Sequence, residues 1–243
     1  LYRNIFDHIS SVAGRYSGKI KGWDVVNEAI LDDGSYREND FYKISADEYI
    51  FKSFEIAHKI DPNAELYYND FSMYKPEKCD AAIRIANKIL ERGLRIDGIG
   101  LQAHWGLDYP SIDEIETSIL KIHEAGFRVH FTELDIDVLP NLWEIEGADL
   151  SDNFKSNDQL NPYKSSLPDS ISDLLSNRYS EIFELFDKHN DKIDRVTFWG
   201  LSDGHSWKND WPAKGRTNYP LLFDRENNPK KAYKDIMMLF NEK

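Results

Sequence analysis

The sequence predicts a parallel α/β fold of the barrel type, and two observations predict it. Apolar strand-like runs alternate with helix-length amphipathic segments along the whole chain. Two of the strand-like runs end in a glutamate: Trp23-Asp24-Val25-Val26-Asn27-Glu28 and Val129-His130-Phe131-Thr132-Glu133-Leu134-Asp135. A strand that stays apolar until it delivers a carboxylate at its carboxyl end is how a parallel α/β barrel presents reactive groups.

The elements follow in order. Ile5, Ile9, Val12 and Tyr16 share one helical face at the start of the chain. Residues 20–27 form the first strand. Ser45 and Glu48 have capping-box spacing, which predicts a helix over 46–60 with Tyr49, Phe54, Ala57 and Ile60 inward and Asp61-Pro62 as its stop. Residues 65–69 form a strand. Pro76 opens a helix that runs to Gly93, placed as a C-terminal glycine cap. Residues 97–103 form a strand. Ser111 and Glu114 repeat the capping box before a stripe of Ile112, Ile115, Ile119 and Ile122, and Gly126 closes that helix. A strand over 128–134, a helix over 170–189, a strand over 194–200 and a helix over 229–241 complete the series. That makes five strands in a single domain spanning 1–243.

Composition narrows the partners. Thirty basic residues against 43 acidic ones give a formal charge of −13. Nucleic acids and anionic membrane surfaces are polyanions and are disfavoured, whereas a neutral polysaccharide is compatible. No apolar run reaches the length of a membrane span, so membrane insertion is not expected. The lone Cys79 leaves no partner for an internal disulfide and reads as a small buried helix residue. His58, His123 and His130 read as structural or exposed. The connection 138–169 is long and rich in Asp, Asn and Pro, as functional or disordered loops are. Its acidic and amide groups could hold calcium, but it has no EF-hand spacing, and no metal is expected.

Five ordered motifs carry a family resemblance. Trp23 to Glu28, Gly100-Leu101-Gln102-Ala103-His104, Thr132 to Asp135, Phe198-Trp199-Gly200-Leu201-Ser202-Asp203-Gly204-His205-Ser206-Trp207, and the ending Pro220-Leu221-Leu222-Phe223-Asp224 with Pro229-Lys230-Lys231-Ala232-Tyr233 resemble an endo-β-1,4-xylanase of glycoside hydrolase family 10. The resemblance covers nearly the whole chain. It implies a (β/α)8 barrel of which this chain supplies about five βα units, strands four to eight. Five parallel strands leave two open edges. An N-terminal barrel segment is therefore expected as a partner, with an inserted carbohydrate-binding module as one way of separating it. Secretion or a cell-surface or periplasmic location is expected with it.

The resemblance also assigns the site. Retaining glycoside hydrolysis uses one protonated carboxyl that donates to the leaving oxygen and one ionised carboxylate that attacks the anomeric carbon, about 5–5.5 Å apart. Glu28 resembles the acid/base and Glu133 the nucleophile. Asn27 is implied to bond the sugar 2-hydroxyl. His104 and Asp135 are implied to form a relay behind Glu133, and the period of two along a strand puts Glu133 and Asp135 on one face. By the same period Gln102 points inward with His104. Trp199 and Trp207 resemble the aromatic walls of the sugar site, since indole faces bury the apolar C–H faces of a sugar. Asn69 is a further substrate contact, and Phe71 stands where the family usually has tyrosine. Trp105 and Trp143 read equally as outer sugar contacts or as packing. No cofactor is implied. Two other readings stay open: a β-1,4-glucanase or mixed xylanase/cellulase of the same mechanism, and a non-catalytic sugar-binding barrel.

Overall fold

The computed structural model describes residues 1–140, 160–211 and 215–241. Its described elements are the helices α1 (Tyr2–Val12), α2 (Asp40–Ser45), α3 (Glu48–Ile60), α4 (Pro76–Glu91), α5 (Ile112–Glu124), α6 (Asp169–Lys188) and α7 (Lys231–Asn241), and the strands β1 (Gly22–Asn27), β2 (Glu65–Asp70), β3 (Gly98–Leu101), β4 (His104–Gly106), β5 (Arg128–Asp137) and β6 (Ile193–Phe198). The chain divides into two compact units. One comprises Leu1–Ala103, Glu114–Thr132 and Asp191–Val196, and the other His104–Asp113, Glu133–Asn190 and Thr197–Lys243.

In the first unit β1, β2, β3 and the start of β5 form a parallel ladder, with Trp23 opposite Leu66, Tyr68 opposite Ile99, and Ile99 opposite Val129. Parallel strands covered on both faces read as continuous apolar runs. β2 fits this over Leu66, Tyr67 and Tyr68, all buried, and ends in the buried polar pair Asn69 and Asp70. The helices bury the faces their periodicity predicts: Ile50, Phe54 and Ala57 of α3, Ala82, Ile85 and Ile89 of α4, and Ile115, Ile119 and Ile122 of α5. Cys79 is buried among them, and burial pushes its thiol up to about 11. That is the chemistry of an inert packing residue.

In the second unit β4 pairs in parallel with the end of β5, His104 opposite Asp135 and Gly106 opposite Asp137. Helices α6 and α7 pack together, joined by Ser176 Oγ donating to Asp235 at 2.7 Å. The buried Tyr179 hydroxyl donates to Pro220 O at 2.6 Å. One residue of the loop after β6 has structural work: the buried Asp203 accepts from Leu221 N at 2.8 Å and pairs with the half-buried Lys230 at 2.9 Å.

Three expectations need correction. Ser45 does not cap the second helix. It is the last residue of the unpredicted α2, where its hydroxyl donates back to Phe41 O, and α3 begins only at Glu48. Asn39 is the residue that caps, accepting from Tyr42 N at 2.9 Å at the start of α2. The expected strand over 97–103 is two strands, because Ala103 takes φ 63° and breaks the extended run between β3 and β4. The period of two therefore does not carry from Gln102 to His104. Trp105 is 3% exposed and packs against Phe186, so it belongs to the core. Of the segment 138–169 considered for calcium, residues 141–159, Trp143 among them, lie outside the described residues.

Candidate active site

The first unit carries Glu28. It follows β1 with φ 58°, in the left-handed region that a side chain with a Cβ rarely adopts. Three main-chain hydrogen bonds hold it there. Its N–H donates to Asn69 O at 2.9 Å, its carbonyl accepts from Arg37 Nε at 3.0 Å, and the next N–H, of Ala29, donates to the Tyr68 hydroxyl at 3.1 Å. The turn lifts the carboxylate out of the ladder and leaves it half-buried.

Around that carboxylate is a chain of amides. Glu28 Oε1 accepts from Gln102 Nε2 at 3.0 Å and from Asn27 Nδ2 at 3.3 Å. Asn27 Oδ1 accepts from Gln102 Nε2 at 3.1 Å and from Asn69 Nδ2 at 2.9 Å. Asn69 Oδ1 in turn accepts from the Thr132 hydroxyl at 2.8 Å. The donors and acceptors run in one direction, so each amide orientation is fixed by its neighbour. Gly100 makes this possible, because a Cβ there would collide with Asn69 Oδ1. The structure thus brings together Asn27, Glu28, Asn69 and Gln102. Phe71 is half-buried beside them, with the Lys78 ammonium 3.5 Å from its ring centroid.

The second unit carries Glu133, in the middle of β5. His104 Nε2 lies 3.3 Å from Glu133 Oε2, and His104 Nδ1 lies 2.9 Å from Asp135 Oδ1. Asp135 is fully buried. Its other oxygen accepts from the Trp207 indole N–H at 2.9 Å, and Lys208 Nζ lies 3.5 Å from Oδ1. Burial works to depress His104, but its hydrogen bonds to Asp135 and Glu133 outweigh burial and raise its pKa above the usual histidine range. Trp207 meets His104 edge-on at 4.9 Å and stacks on Trp211 at 6.1 Å. Trp199 follows β6, donates its main-chain N–H to Leu134 O at 3.2 Å, and is 47% exposed. Glu133, His104, Asp135, Trp207 and Trp199 therefore all belong to this unit.

Several residues at these sites were not anticipated. Thr132, Arg37, Lys208 and Trp211 have no individual signal beyond their neighbours, although Trp211 follows Trp207 by four residues in a polar loop. Tyr68, Asp70 and Lys78 had one. Tyr68 and Asp70 are two apart on a strand, and Lys78 occupies the inward stripe of α4 with Ala81, Ala82 and Ile85. A cation on an apolar stripe announces a buried partner.

A glutamate just past the end of one parallel strand and another within a second, which runs three residues past its expected end to Asp137, together with ordered amides and indole faces, are the equipment of a carboxylate-based glycoside hydrolase. The comparisons with known proteins agree. The model of glycosyl hydrolase family 10 matches residues 1–239, and the chain belongs to that family. Its fold is accordingly that of a (β/α)8 barrel. The chain is 46% identical over 240 residues to endo-1,4-beta-xylanase A of Xylanibacter ruminicola, covering 99% of this chain and 65% of that protein. It is 37% identical over 238 residues to an endo-1,4-beta-xylanase of Geobacillus stearothermophilus, covering 96% of this chain and 66% of that protein. Among solved structures it resembles a family 10 endoxylanase retrieved from a sugarcane soil metagenome, with a TM-score of 0.90 and 44% identity over 98% of this chain and 67% of that one. The chain thus spans just under two thirds of the length of these two named relatives.

Proposed function

We propose that the protein hydrolyses internal β-1,4-xylosidic bonds of xylan with retention of configuration. The observation that carries this reading is the Glu133–His104–Asp135 arrangement on β4 and β5. A carboxylate whose neighbouring imidazole is anchored by a second, buried carboxylate is oriented for attack. The relatives' names give the sugar: both are called endo-1,4-beta-xylanases.

In this reading Glu133 attacks the anomeric carbon and forms a covalent glycosyl-enzyme. Glu28, protonated, gives its proton to the departing oxygen and then takes one from the water that releases the sugar. Asn27 donates to the 2-hydroxyl, a bond that strengthens as the ring flattens toward the oxocarbenium ion. Gln102 and Asn69 hold Asn27 and Glu28 in place. Trp199 and Trp207 bury the sugar's C–H faces. Phe71 offers a ring face but no hydroxyl. The chemistry needs only carboxylates, so no cofactor enters it. A polymeric substrate fits a location outside the cytoplasm. Among the described residues no helix is long and apolar enough to cross a membrane.

The test is a comparison of initial rates of the whole protein on xylan and on carboxymethyl-cellulose, with the anomer of the first product read by NMR. Faster release from xylan with β-anomer first supports the proposal. Preference for the cellulose derivative would favour the glucanase reading, α-anomer first would remove the two-step mechanism, and no release would favour the sugar-binding barrel.

A further inference from the structure

The first unit contains a buried ionic cluster that the proposed chemistry does not use. Asp70 and Lys78 are both fully buried, 2.9 Å apart. Asp70 Oδ2 accepts from the Tyr68 hydroxyl at 2.5 Å, and Asp70 Oδ1 accepts from Phe71 N at 2.9 Å. Lys78 also lies 3.2 Å from Asp32 Oδ1.

An ion pair taken wholly out of water is a poor device for stability, because desolvation cancels much of the attraction. Its geometry here has a different end point. Tyr68 spends its only proton on Asp70, so the lone pairs of its oxygen remain to accept. What they accept is the N–H of Ala29, the peptide that follows Glu28. Burial, then the neighbouring Asp70 charge, pushes the Tyr68 phenol well above its ordinary range, so it stays a donor throughout the working pH range. Asp70 is raised by burial and restrained by Lys78.

We propose that Tyr68, fixed by Asp70 and Lys78, is a positioning residue for Glu28: its hydroxyl pins the Glu28–Ala29 peptide and so holds the acid/base in its left-handed conformation. The inference rests on the reading of Glu28 as acid/base. Of the three main-chain bonds at this turn, one comes from the neighbouring strand's carbonyl and one from the half-buried Arg37. The Tyr68 bond is the one whose direction is set by a buried charge. A left-handed residue with a side chain persists only where its surroundings over-determine it. The same cluster reaches Phe71 through the cation on its ring and reaches the loop after Glu28 through Asp32.

The experiment is Tyr68→Phe in the whole protein, assayed on xylan and on an aryl xyloside whose leaving group needs no proton. Misplaced acid catalysis slows only the first substrate. We expect kcat on xylan to fall by about tenfold or more, within the range general acid catalysis supplies. On the activated aryl substrate kcat should change by less than about threefold, and the basic limb of the xylan pH profile should shift. Tyr67→Phe, which removes a hydroxyl bonded to Glu65 instead, should leave the ratio of the two rates unchanged. Asp70→Asn keeps an acceptor for Tyr68 and covers the case in which Tyr68→Phe does not fold; it should show the same selectivity more weakly. Equal losses on both substrates, or no loss on xylan, would overturn the inference. Glu28→Ala run alongside separates the two ideas. Should it lack the selective loss and azide rescue, the acid/base reading fails; should it show them while Tyr68→Phe does not, only the positioning role fails.

Discussion

Each unit holds a histidine at β5, His130 within the strand and His104 beside it, and the two could hardly be treated more differently. His130, in the first unit, is 1% exposed, stacks on Tyr67 at 4.0 Å, and has neither ring nitrogen within hydrogen-bonding geometry of a partner. Burial, aided by Arg195, pushes it down to about 4, so it is neutral. His104, in the second unit, sits between two carboxylates that raise it despite burial. The difference is one of partners, since both rings are largely out of water. The apolar site removes the charge and leaves a packing element. The carboxylate site stabilises the imidazolium and makes a group able to donate to Glu133 and Asp135 at once.

The largest test of this contrast removes what His104 serves. Glu133→Ala should cut turnover by at least about 10⁴-fold, because the residue that forms the covalent intermediate is gone. Trapping with a 2-fluoro sugar and mapping the labelled peptide checks it, and a label on another carboxylate would end the assignment. Next comes Glu28→Ala, expected to lose about 10²–10⁴-fold on xylan while retaining the first step on activated aryl substrates. Azide should restore turnover there. Uniform loss without azide rescue would remove the acid/base role.

His104→Ala should be milder, up to about 10²-fold in kcat, as for a lost orienting contact. The fold should survive, and the acidic limb of the pH–rate profile should move, since His104 bonds the nucleophile. Stability gives a second readout with a definite sign. A histidine raised in the folded state contributes stability that is complete below its ordinary value of 6.5 and lost as pH rises through the raised value. Thermal midpoints of wild type and His104→Ala should therefore differ most on the acid side and converge at alkaline pH. Unchanged turnover with an unchanged profile would put His104 beside His130 as a packing residue.

The sequence distinguished these two histidines only by their surroundings. His104 follows Gly100-Leu101-Gln102-Ala103, a run that resembles a family motif, and Asp135 two residues beyond Glu133 supplied its partner by strand periodicity. His130 lies inside a largely apolar strand with Arg128 and Thr132, and no carboxylate, at that spacing. The strands were legible because apolar runs between turn signals leave little choice: β1, β2, β5 and β6 fall within three residues of their expected ends at every boundary. What was illegible depends on backbone conformation. Nothing in Gln102-Ala103-His104 marks φ 63° at alanine, and nothing in Asn27-Glu28-Ala29 marks φ 58° at glutamate. At Glu28 the conformation is held by tertiary hydrogen bonds. Ser45 misled because capping-box spacing says which side chains can cap, whereas the competing Asn39 determined where the helical segment began. Tyr68, Asp70 and Lys78 were readable as buried polar residues, but the peptide they hold is visible only in three dimensions.

The smallest effect on turnover belongs to His130→Phe, which keeps a ring against Tyr67 and removes the titratable nitrogens. Turnover should stay within about twofold of wild type, because His130 touches none of the proposed reacting groups. Its effect should appear in stability, with the sign opposite to that of His104. The folded state holds His130 neutral down to about 4, whereas an unfolded chain protonates it near 6.5. Between those values the unfolded state binds more protons, so wild-type stability falls as pH drops from 6.5 toward 4. That gap, at about 1.4 kcal/mol per pH unit, comes to roughly 3.5 kcal/mol at most. The groups facing the ring are Tyr67, Asp194, Arg195, Glu65 and Lys21. Asp194, whose Oδ2 lies 3.8 Å from His130 Nε2, opposes the depression and is already reflected in the value of about 4. Urea unfolding of both proteins at intervals from pH 7 to 4 should show a flatter profile for His130→Phe. If both profiles fall in parallel, the acid loss comes from carboxylates elsewhere, and the contrast between the two histidines reduces to the one that His104 makes alone.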